Sequence, residues 1–181
     1  LPISTTDKII LNDLLDTYKK IPCAGIAANQ IGYDKRIFIG MKKDEPDTED
    51  QYKKLRKDES TKTKKEERNP NADNYEFYIN PQIDQTYKKS IQEEEEGCLS
   101  IPEIRASIAR PETIHVKFYD EHGDCKTVKF SGMLCRVILH EIDHLNGKFF
   151  TDYLSPAKRK LVHSKLIEIS KDGFPSTGVI L

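Results

Sequence analysis

The sequence predicts an α+β fold, in which antiparallel β-strands wrap around one central helix and a further helix follows at the C-terminal end. Three observations support this prediction. Residues 113–120 are strongly β-type, and a turn at 121–124 leads into a second such run at 125–130, which is typical of a hairpin. An apolar run with helical spacing begins at Gly132. At 181 residues, the chain has the size of a single domain with its own core.

The first helix is predicted close to the start of the chain. Residues 4–6 are good helix caps, and Asp7 adds negative charge where the helix dipole favours it. Apolar side chains then recur with helical spacing: Ile10, Leu11, Leu14, Leu15 and Tyr18. Pro22 ends this helix, and residues 36–39 follow as a short strand.

The sequence predicts a single domain that covers residues 1–181. Within it, residues 41–74 differ in composition from the rest of the chain. They contain ten Lys or Arg and ten Asp or Glu residues, with Leu55 almost the only aliphatic side chain. Such a segment buries too little apolar surface to offset the entropy lost on ordering. We therefore interpret it as a charged, flexible insertion. Its balanced charge argues against a nucleic-acid-binding arm, while contact with ribosomal RNA or another partner is left open.

The elements after the insertion follow from local signals. Residues 76–81 are predicted to form a strand that ends at Pro81, and residues 93–96 form a solvated face or strand edge. Residues 146–147 tolerate left-handed backbone and end the central helix. Residues 155–156 are a good N-cap and first-turn pair for the C-terminal helix. Its apolar positions are Leu161, Val162, Leu166 and Ile169.

Composition excludes several classes of protein. The formal net charge is −1 with 33% charged residues, so no global field favours nucleic acid or a membrane surface. No apolar run approaches the roughly 20 residues of a transmembrane helix. The chain begins at Leu1 without a methionine or a signal-peptide pattern, which we interpret as a processed or truncated form.

The four cysteines show no disulfide framework, and a chain of this length does not need one. Reduced thiols in a bacterial-type or organellar interior are the better interpretation. Cys23, Cys125 and Cys135 are interpreted as small buried hydrophobic residues.

The central helix carries the motif His140-Glu141-Ile142-Asp143-His144. Residues four apart lie above one another on one face of a helix, so both imidazoles can reach the same metal ion. Glu141 stands beside the first of them and can activate a water bound to that metal. Two nitrogen ligands and an adjacent carboxylate base are the minimum for metal-assisted hydrolysis. The alternative is a helix that merely contains two histidines.

A hydrolytic site of this kind needs a third protein ligand. Downstream of His144 the chain offers His163 and Glu168, but no sequence signature favours either. Upstream, Cys98 lies in a turn that is preceded by Gly97 and bounded by Pro102. As a thiolate, Cys98 would complete a Cys-His-His site with a fourth position open for water.

Three separated segments carry a resemblance to a known family. Residues 25–30, residues 96–100 and residues 140–144 resemble the three signature motifs of peptide deformylases, and they occur in the family's order. The resemblance extends from about Leu11 to Leu154. It implies three metal ligands: Cys98, His140 and His144.

The resemblance also implies the catalytic residues. Glu141 would be the general acid and base, which agrees with its place in the motif. The oxyanion of the attacked carbonyl needs preorganised donors, and two fit: the side-chain amide of Gln30 and the backbone N–H of Leu99. Without the resemblance, the sequence is equally consistent with Gln30 being a surface glutamine at the end of a loop.

Substrate-binding positions follow from the same resemblance. Three residues would pair with the substrate backbone: Ala24, Gly25 and Gly97. Three on the central helix match positions around the pocket for the methionine side chain: Met133, Arg136 and Val137. Arg136 departs from the family, where an aliphatic residue is usual, but its stem can line a pocket while its head reaches water. Cys23 is a second departure, since it replaces the first glycine of the family pattern.

Glu96 is predicted to support the cysteine turn. An ion pair would orient the turn, with Arg105 or Arg110 as the partner. The alternative is a free surface carboxylate.

A member of this family would remove the formyl group from the N-terminal formylmethionine of nascent polypeptides and release formate. The resemblance implies one divalent metal ion, Fe(II) in the native enzyme, and ligand softness also admits Zn, Ni or Co in a purified sample. Its partners would be formylated nascent peptides and, transiently, the ribosome, with no role for DNA or membranes. Its location would be the bacterial cytoplasm or the interior of an organelle of bacterial ancestry.

Two alternatives remain open at this point. A zinc endopeptidase could use His140, Glu141 and His144 with a third ligand other than Cys98. A non-catalytic relative could bind nascent chains or another partner, a reading motivated by Cys23, Arg136 and the charged insertion. Against the second alternative, every residue that the chemistry requires is present.

Overall fold

The computed structural model describes residues 1–44 and 68–172 of the chain. Within these residues, three α-helices and seven antiparallel β-strands form the predicted α+β fold. In this described part, no helix is both long enough and apolar enough to span a membrane.

Helix α1 covers Thr5–Lys20 and confirms the first predicted helix. Ser4 is its N-cap: the Ser4 side chain accepts a hydrogen bond from the Asp7 N–H, and the Asp7 carboxylate accepts one from the Ser4 N–H. This reciprocal pair satisfies two N–H groups that a helix start leaves without partners. The apolar face is buried through Ile10, Leu11, Leu14 and Tyr18.

The larger sheet has five antiparallel strands in the order β1-β2-β3-β6-β7. These strands are β1 (Gly25–Ala27), β2 (Ile37–Gly40), β3 (Glu76–Thr86), β6 (Thr113–Tyr119) and β7 (Cys125–Ser131). The predicted hairpin is thus confirmed as β6 and β7, although Cys125 is exposed, so its assignment as a buried residue is wrong.

Strand β3 does not end at Pro81 as predicted. It continues to Thr86, and its register with β6 shifts between Ile79 and Gln82. Asn80 adopts a positive φ of 50° within this irregularity. A bulge leaves one residue out of the ladder, which is how a strand can accommodate a proline that has no N–H to donate.

The smaller sheet pairs β4 (Ile91–Cys98) with β5 (Ile101–Pro111), and we call these two strands the ligand hairpin. The prediction of a strand edge at residues 93–96 is confirmed, with Glu93, Glu94 and Glu95 exposed and Glu96 buried. Strand β5 was not predicted from the sequence.

Helix α2 covers Gly132–Leu145, as predicted, and packs against the larger sheet. Gly132 opens it with a φ of +61°, and Gly147 follows its end with a φ of +70°, a conformation that glycine adopts without strain. Helix α3 covers Pro156–Asp172. Its residues Val162, Leu166 and Ile169 pack against the ligand hairpin, whereas Leu161 is 84% exposed and does not belong to that face.

The middle of the predicted insertion, residues 45–67, lies outside the described residues. At its two ends, exposed charged residues alternate with buried residues, and Lys42, Lys43 and Asp44 are all exposed. Met41, Asn69, Asn71 and Ala72 are all buried. Asn69 donates to the Tyr18 carbonyl oxygen at 2.7 Å, and Asn71 donates to the Cys23 carbonyl oxygen at 3.1 Å. Composition did not reveal the burial of these two asparagines, because it averages over residues that make specific hydrogen bonds. The charged, flexible insertion itself stays a prediction.

Candidate metal centre

Three side chains with metal-binding atoms converge at the interface of the ligand hairpin and α2. The Cys98 Sγ atom lies 3.2 Å from His144 Nε2, which lies 3.1 Å from His140 Nε2. One ligand atom from each residue falls within 4.8 Å of the other two. The helical spacing of the two histidines brings their imidazoles onto one face, as the motif predicts.

A register irregularity at the end of β4 directs Cys98 toward the histidines. Cys98 pairs with Ile101, and the register of the ligand hairpin shifts between Glu96 and Cys98. Such a shift lets a strand re-aim one side chain without losing its neighbours' pairing. Cys98 is also part of the apolar cluster that holds the hairpin against α3.

The chemistry of these three side chains fits one divalent metal ion. A thiolate and two imidazoles are ligands that Zn and Fe(II) accept, and three protein ligands leave one coordination position for a reactant. The alternative ligands His163 and Glu168 are exposed on α3.

The two histidines have opposite electrostatic environments. Burial lowers the pKa of His140, but its hydrogen bonds to Cys98 and Glu96 outweigh that effect and raise the pKa to about 10. Burial and the charge of His140 lower the pKa of His144 to about 3. His140 therefore holds the proton that a metal ion would displace.

Glu96 receives hydrogen bonds on both carboxylate oxygens. Arg110 donates Nε to Oε1 at 2.5 Å and Nη2 to Oε2 at 2.9 Å. His140 Nδ1 lies 3.1 Å from Oε2, so the carboxylate orients that imidazole. Burial raises the pKa of Glu96, but the bonds from Arg110 and His140 outweigh it and lower the pKa to about 2. The prediction of an ion pair behind the cysteine turn is confirmed, and the free-carboxylate alternative is wrong.

The sequence left open whether Arg105 or Arg110 is the partner of Glu96. In the structure, these two arginines have different partners. Arg110 is the partner of Glu96, and it also donates Nη1 to Asp143 on α2 at 2.8 Å. Arg105 pairs with Glu95 at 3.1 Å, in a partly exposed ion pair. Arg105 is therefore not the arginine of the predicted pair.

The head of Arg136 does not lie where the sequence analysis predicted. Its head does not reach water: the residue is 3% exposed, and its Nη1 donates to Glu96 Oε1 at 2.6 Å. Sequence reasoning missed this contact, since Arg136 stood out only as a departure from an apolar pattern.

Glu141 is buried, and its Oε2 atom has no hydrogen-bond partner among the described residues. Burial is the main cause that raises its pKa to about 7, with the charge of Glu96 adding to it and that of His140 opposing it. Gly25 on β1 lies directly against this side chain. A buried carboxylate poised near neutral pH is suited to accept and return a proton.

Gln30 lies at the edge of the site, in a 3-10 helix that covers Ala28–Ile31. Its Oε1 accepts a hydrogen bond from the Ala27 N–H at 2.8 Å, which fixes the amide. Its Nε2 donates to Ser100 Oγ at 3.1 Å and lies 3.9 Å from Cys98 Sγ. Leu99 follows Cys98 directly and is half-buried.

A cleft with an empty volume of about 320 Å³ opens beside Glu141 and His140. Four of its lining residues were predicted to bind substrate: Ala24, Met133, Arg136 and Val137. Glu95 and Glu96 line the cleft as well, and the sequence analysis did not place Glu95 at the site. The other two predicted positions, Gly25 and Gly97, lie on β1 and β4, beside the Glu141 carboxylate and Cys98 respectively.

The fold and this site together define a metal-dependent hydrolase. Residues 2–160 match the family described as polypeptide deformylase. The chain is 33% identical over 164 residues to a peptide deformylase of Xylella fastidiosa, covering 91% of this chain and 80% of the relative. It is 37% identical over 166 residues to one of Christiangramia forsetii, covering 90% and 76%.

Solved structures agree with these relatives. A peptide deformylase from Ehrlichia chaffeensis matches with a TM-score of 0.70 at 29% identity, covering 93% of this chain and 86% of that one. One from Legionella pneumophila matches with a TM-score of 0.68 at 29% identity, covering 94% and 85%. The chain belongs to the peptide deformylase family. It is an enzyme that removes the formyl group from nascent polypeptides, and the non-catalytic alternative is not favoured.

Proposed function

We propose that Cys98, His140 and His144 hold a single Fe(II) ion and that Glu141 is the general acid and base of deformylation. The observation that carries this proposal is the convergence of three ligand atoms beside a buried carboxylate oxygen, Glu141 Oε2, that has no hydrogen-bond partner in the described part of the chain. When bound, the metal ion supplies Lewis acidity and lowers the pKa of water. The thiolate ligand and the family membership support Fe(II).

The remaining roles belong to residues of the chain. Glu141 Oε2 takes the proton of the attacking water and returns it to the leaving amine. The Gln30 amide, fixed by its bond to Ala27, and the Leu99 N–H stabilise the negative charge that develops on the formyl oxygen. Glu96 keeps the His140 imidazole in one orientation.

The cleft orients the substrate. We assign the peptide backbone of formylmethionine to three residues on its edge: Ala24, Gly25 and Gly97. We assign the methionine side chain to the apolar wall that Met133, Val137 and the Arg136 stem form on α2.

A reducing compartment, either bacterial cytoplasm or the interior of an organelle of bacterial ancestry, fits this assignment. The thiolate of Cys98 would be lost on oxidation, and Cys98 forms no disulfide with any described residue. Transient contact with the ribosome stays a prediction.

The test is anaerobic formate release from a formyl-Met peptide by protein loaded with Fe(II). The parent protein is expected to release formate rapidly. Glu141→Gln is expected to keep its metal and lose about 10²- to 10⁴-fold in kcat, the range that general acid–base catalysis contributes. Cys98→Ala is expected to lose both metal and activity, whereas the matched change His163→Ala on exposed α3 is expected to affect neither.

Two outcomes would contradict the proposal. Full metal content in Cys98→Ala would favour the zinc endopeptidase, which requires a different third ligand. Bound stoichiometric metal without formate release in the parent would mean that the cleft has diverged and accepts another N-acyl peptide.

A further inference from the structure

Arg136 connects the helix of the metal centre to both strands of the ligand hairpin. It lies one helical turn before His140, on the same face of α2. Besides its bond to Glu96, Nη1 donates to the carbonyl oxygens of Ile108 at 2.9 Å and Glu94 at 3.4 Å. Its Nη2 donates to the carbonyl oxygen of Gln92 at 3.0 Å. One buried guanidinium thus reaches three main-chain carbonyls and a carboxylate.

The position of the ligand hairpin relative to α2 determines whether the metal site is assembled. Cys98 comes from the hairpin, and His140 and His144 come from α2. Among the described strands, β4 and β5 pair only with each other, so no sheet hydrogen bond fixes the hairpin to the larger sheet. Main-chain hydrogen bonds hold the base of the hairpin, where the Tyr87 N–H donates to the Thr113 carbonyl oxygen and the Glu112 N–H donates to the Ser90 carbonyl oxygen. Side-chain contacts across the interface then contribute to the orientation of Cys98 at its other end.

Several polar contacts cross that interface. Besides the contact of Cys98 with His144, the Cys135 thiol donates to the Pro111 carbonyl oxygen and the Gln92 amide donates to the Gly132 carbonyl oxygen. Glu96 bonds to His140, and Arg110 bonds to Asp143. Arg136 makes further contacts, and it alone of these side chains extends from α2 to the main chain of both hairpin strands. A planar guanidinium with five donors in fixed geometry suits such a contact, whereas a lysine ammonium cannot reproduce it.

We propose that Arg136 is a positioning residue of the metal centre, which docks the ligand hairpin on α2 so that Cys98 meets His140 and His144. The inference rests on the proposed metal ligands. It assigns to the Arg136 head a role other than contact with the substrate, because the head is turned to Glu96 and to the hairpin carbonyls. Its loss would widen the spread of Cys98 orientations and weaken metal binding.

The experiment measures metal binding directly with Co(II), which reports on its ligands through absorption. The protein is stripped of metal and titrated anaerobically with Co(II) in competition with a chelator, while the thiolate-to-cobalt charge-transfer band is recorded. Arg136→Met is expected to bind Co(II) about 10- to 100-fold more weakly, the range seen when residues that orient metal ligands are replaced. Met preserves the apolar stem, and Glu96 keeps Arg110 and His140 as partners.

Arg105→Met is the matched control, since Arg105 also lies on the ligand hairpin but pairs with Glu95 in a partly exposed contact. It is expected to bind Co(II) as the parent does. Arg136→Lys provides a second variant in case Arg136→Met does not fold. It keeps the charge beside Glu96 but cannot span three carbonyls, so an intermediate loss of affinity is expected.

The outcomes separate this proposal from its rivals. Parental Co(II) affinity in a folded Arg136→Met or Arg136→Lys protein would overturn it. So would a change in KM across substrates with unchanged Co(II) affinity, which would make Arg136 a specificity residue. A fall in thermal midpoint of the metal-free protein, with unchanged Co(II) affinity below that midpoint, would reduce Arg136 to a structural role. A parent protein that binds no Co(II) would overturn the proposed ligands and this inference together.

Discussion

Gly25 lies against Glu141, and its lack of a side chain leaves room for the carboxylate that we propose as the general acid and base. A Cβ atom at Gly25 would lie 2.7 Å from Glu141 Oε1 and 2.8 Å from its Cγ. Since Glu141 is only 4% exposed, it can yield only by leaving its position. We expect Gly25→Ala to lower kcat about 100-fold, because a displacement of about 1 Å costs that much. Metal content, measured on the same sample, is expected to be unchanged.

Gly40 supplies the control for this substitution. It is the direct cross-strand partner of Gly25 in the pairing of β1 with β2. A Cβ atom at Gly40 would meet its nearest neighbours, in Ala24 and Phe38, at 3.5 Å, which is ordinary contact. Gly40→Ala is expected to keep parental kcat. Unchanged kcat in Gly25→Ala would contradict the assignment of Glu141 as the proton carrier.

Individual residues differ in how far the sequence could predict them. His140 and His144 follow from helical geometry alone, because their spacing of four places both on one face. Arg110 was one of two arginines for Glu96, and sequence spacing could not decide between them. The contacts of the Arg136 head were predicted wrongly, because its partners are carbonyls of strands distant in the sequence, and one of those strands was not predicted.

At the scale of elements, the β6–β7 hairpin is stabilised by one carboxylate in its turn. Asp120 Oδ1 accepts hydrogen bonds from the N–H groups of His122 at 2.9 Å and Asp124 at 3.0 Å. Its Oδ2 lies 3.1 Å from Lys126 Nζ. Burial raises the pKa of Asp120, but these backbone bonds and Lys126 outweigh burial and hold the pKa below its usual value.

The sign of the resulting pH dependence follows from that lowered pKa. The Asp120 carboxylate contributes stability above the pKa of an unfolded Asp, near 4, and this contribution is lost as the pH falls through the lower folded value. We expect Asp120→Asn to reduce the free energy of unfolding by about 1 kcal/mol at pH 7, since it loses the charge that pairs with Lys126. The difference between parent and variant is expected to shrink toward pH 2, as measured by urea unfolding.

Asp124→Asn is the matched control, because its exposed carboxylate lies in the same turn. Asp124→Asn is expected to change the free energy of unfolding only slightly, both at pH 7 and at pH 2. A parent–variant difference for Asp120→Asn that stays constant from pH 7 to pH 2 would show that the carboxylate charge does not stabilise the turn.

Helices and strands could be predicted from the sequence where one local sequence signal was strong. The capped helix α1, the β6–β7 hairpin and helix α2 all have clear starts and periodicity. Strand β5 was missed, because its side chains alternate irregularly and its place in the fold is fixed by pairing with β4. The burial of Asn69 and Asn71 was missed for a related reason: both side chains are polar, and only their partners in the N-terminal part of the fold explain their burial.

At the scale of the whole molecule, the metal site joins two parts that share no strand pairing. Among the described residues, Cys98 belongs to the two-stranded sheet, whereas α2 packs against the five-stranded one. Ligand atoms of one cysteine and two imidazoles meet within 4.8 Å of one another at the interface of these parts. A bound ion would replace these contacts with ligand bonds across the interface, so folding and metal binding should be coupled.

Removal of the metal is therefore expected to lower the stability of the whole domain. A ligand that binds only the folded state adds RT ln(1 + [L]/Kd), or about 2.7 kcal/mol at a free concentration of 100 Kd. For a chain of this size, that corresponds to a rise of about 5–10 °C in thermal midpoint. Calorimetry of the parent with chelator and with excess Co(II) measures the difference. Cys98→Ala is the control and should show little shift, because two imidazoles alone do not connect the hairpin to α2. An equal shift in Cys98→Ala would mean that the ion binds within α2 alone, and the two parts of the fold would not be joined through the metal.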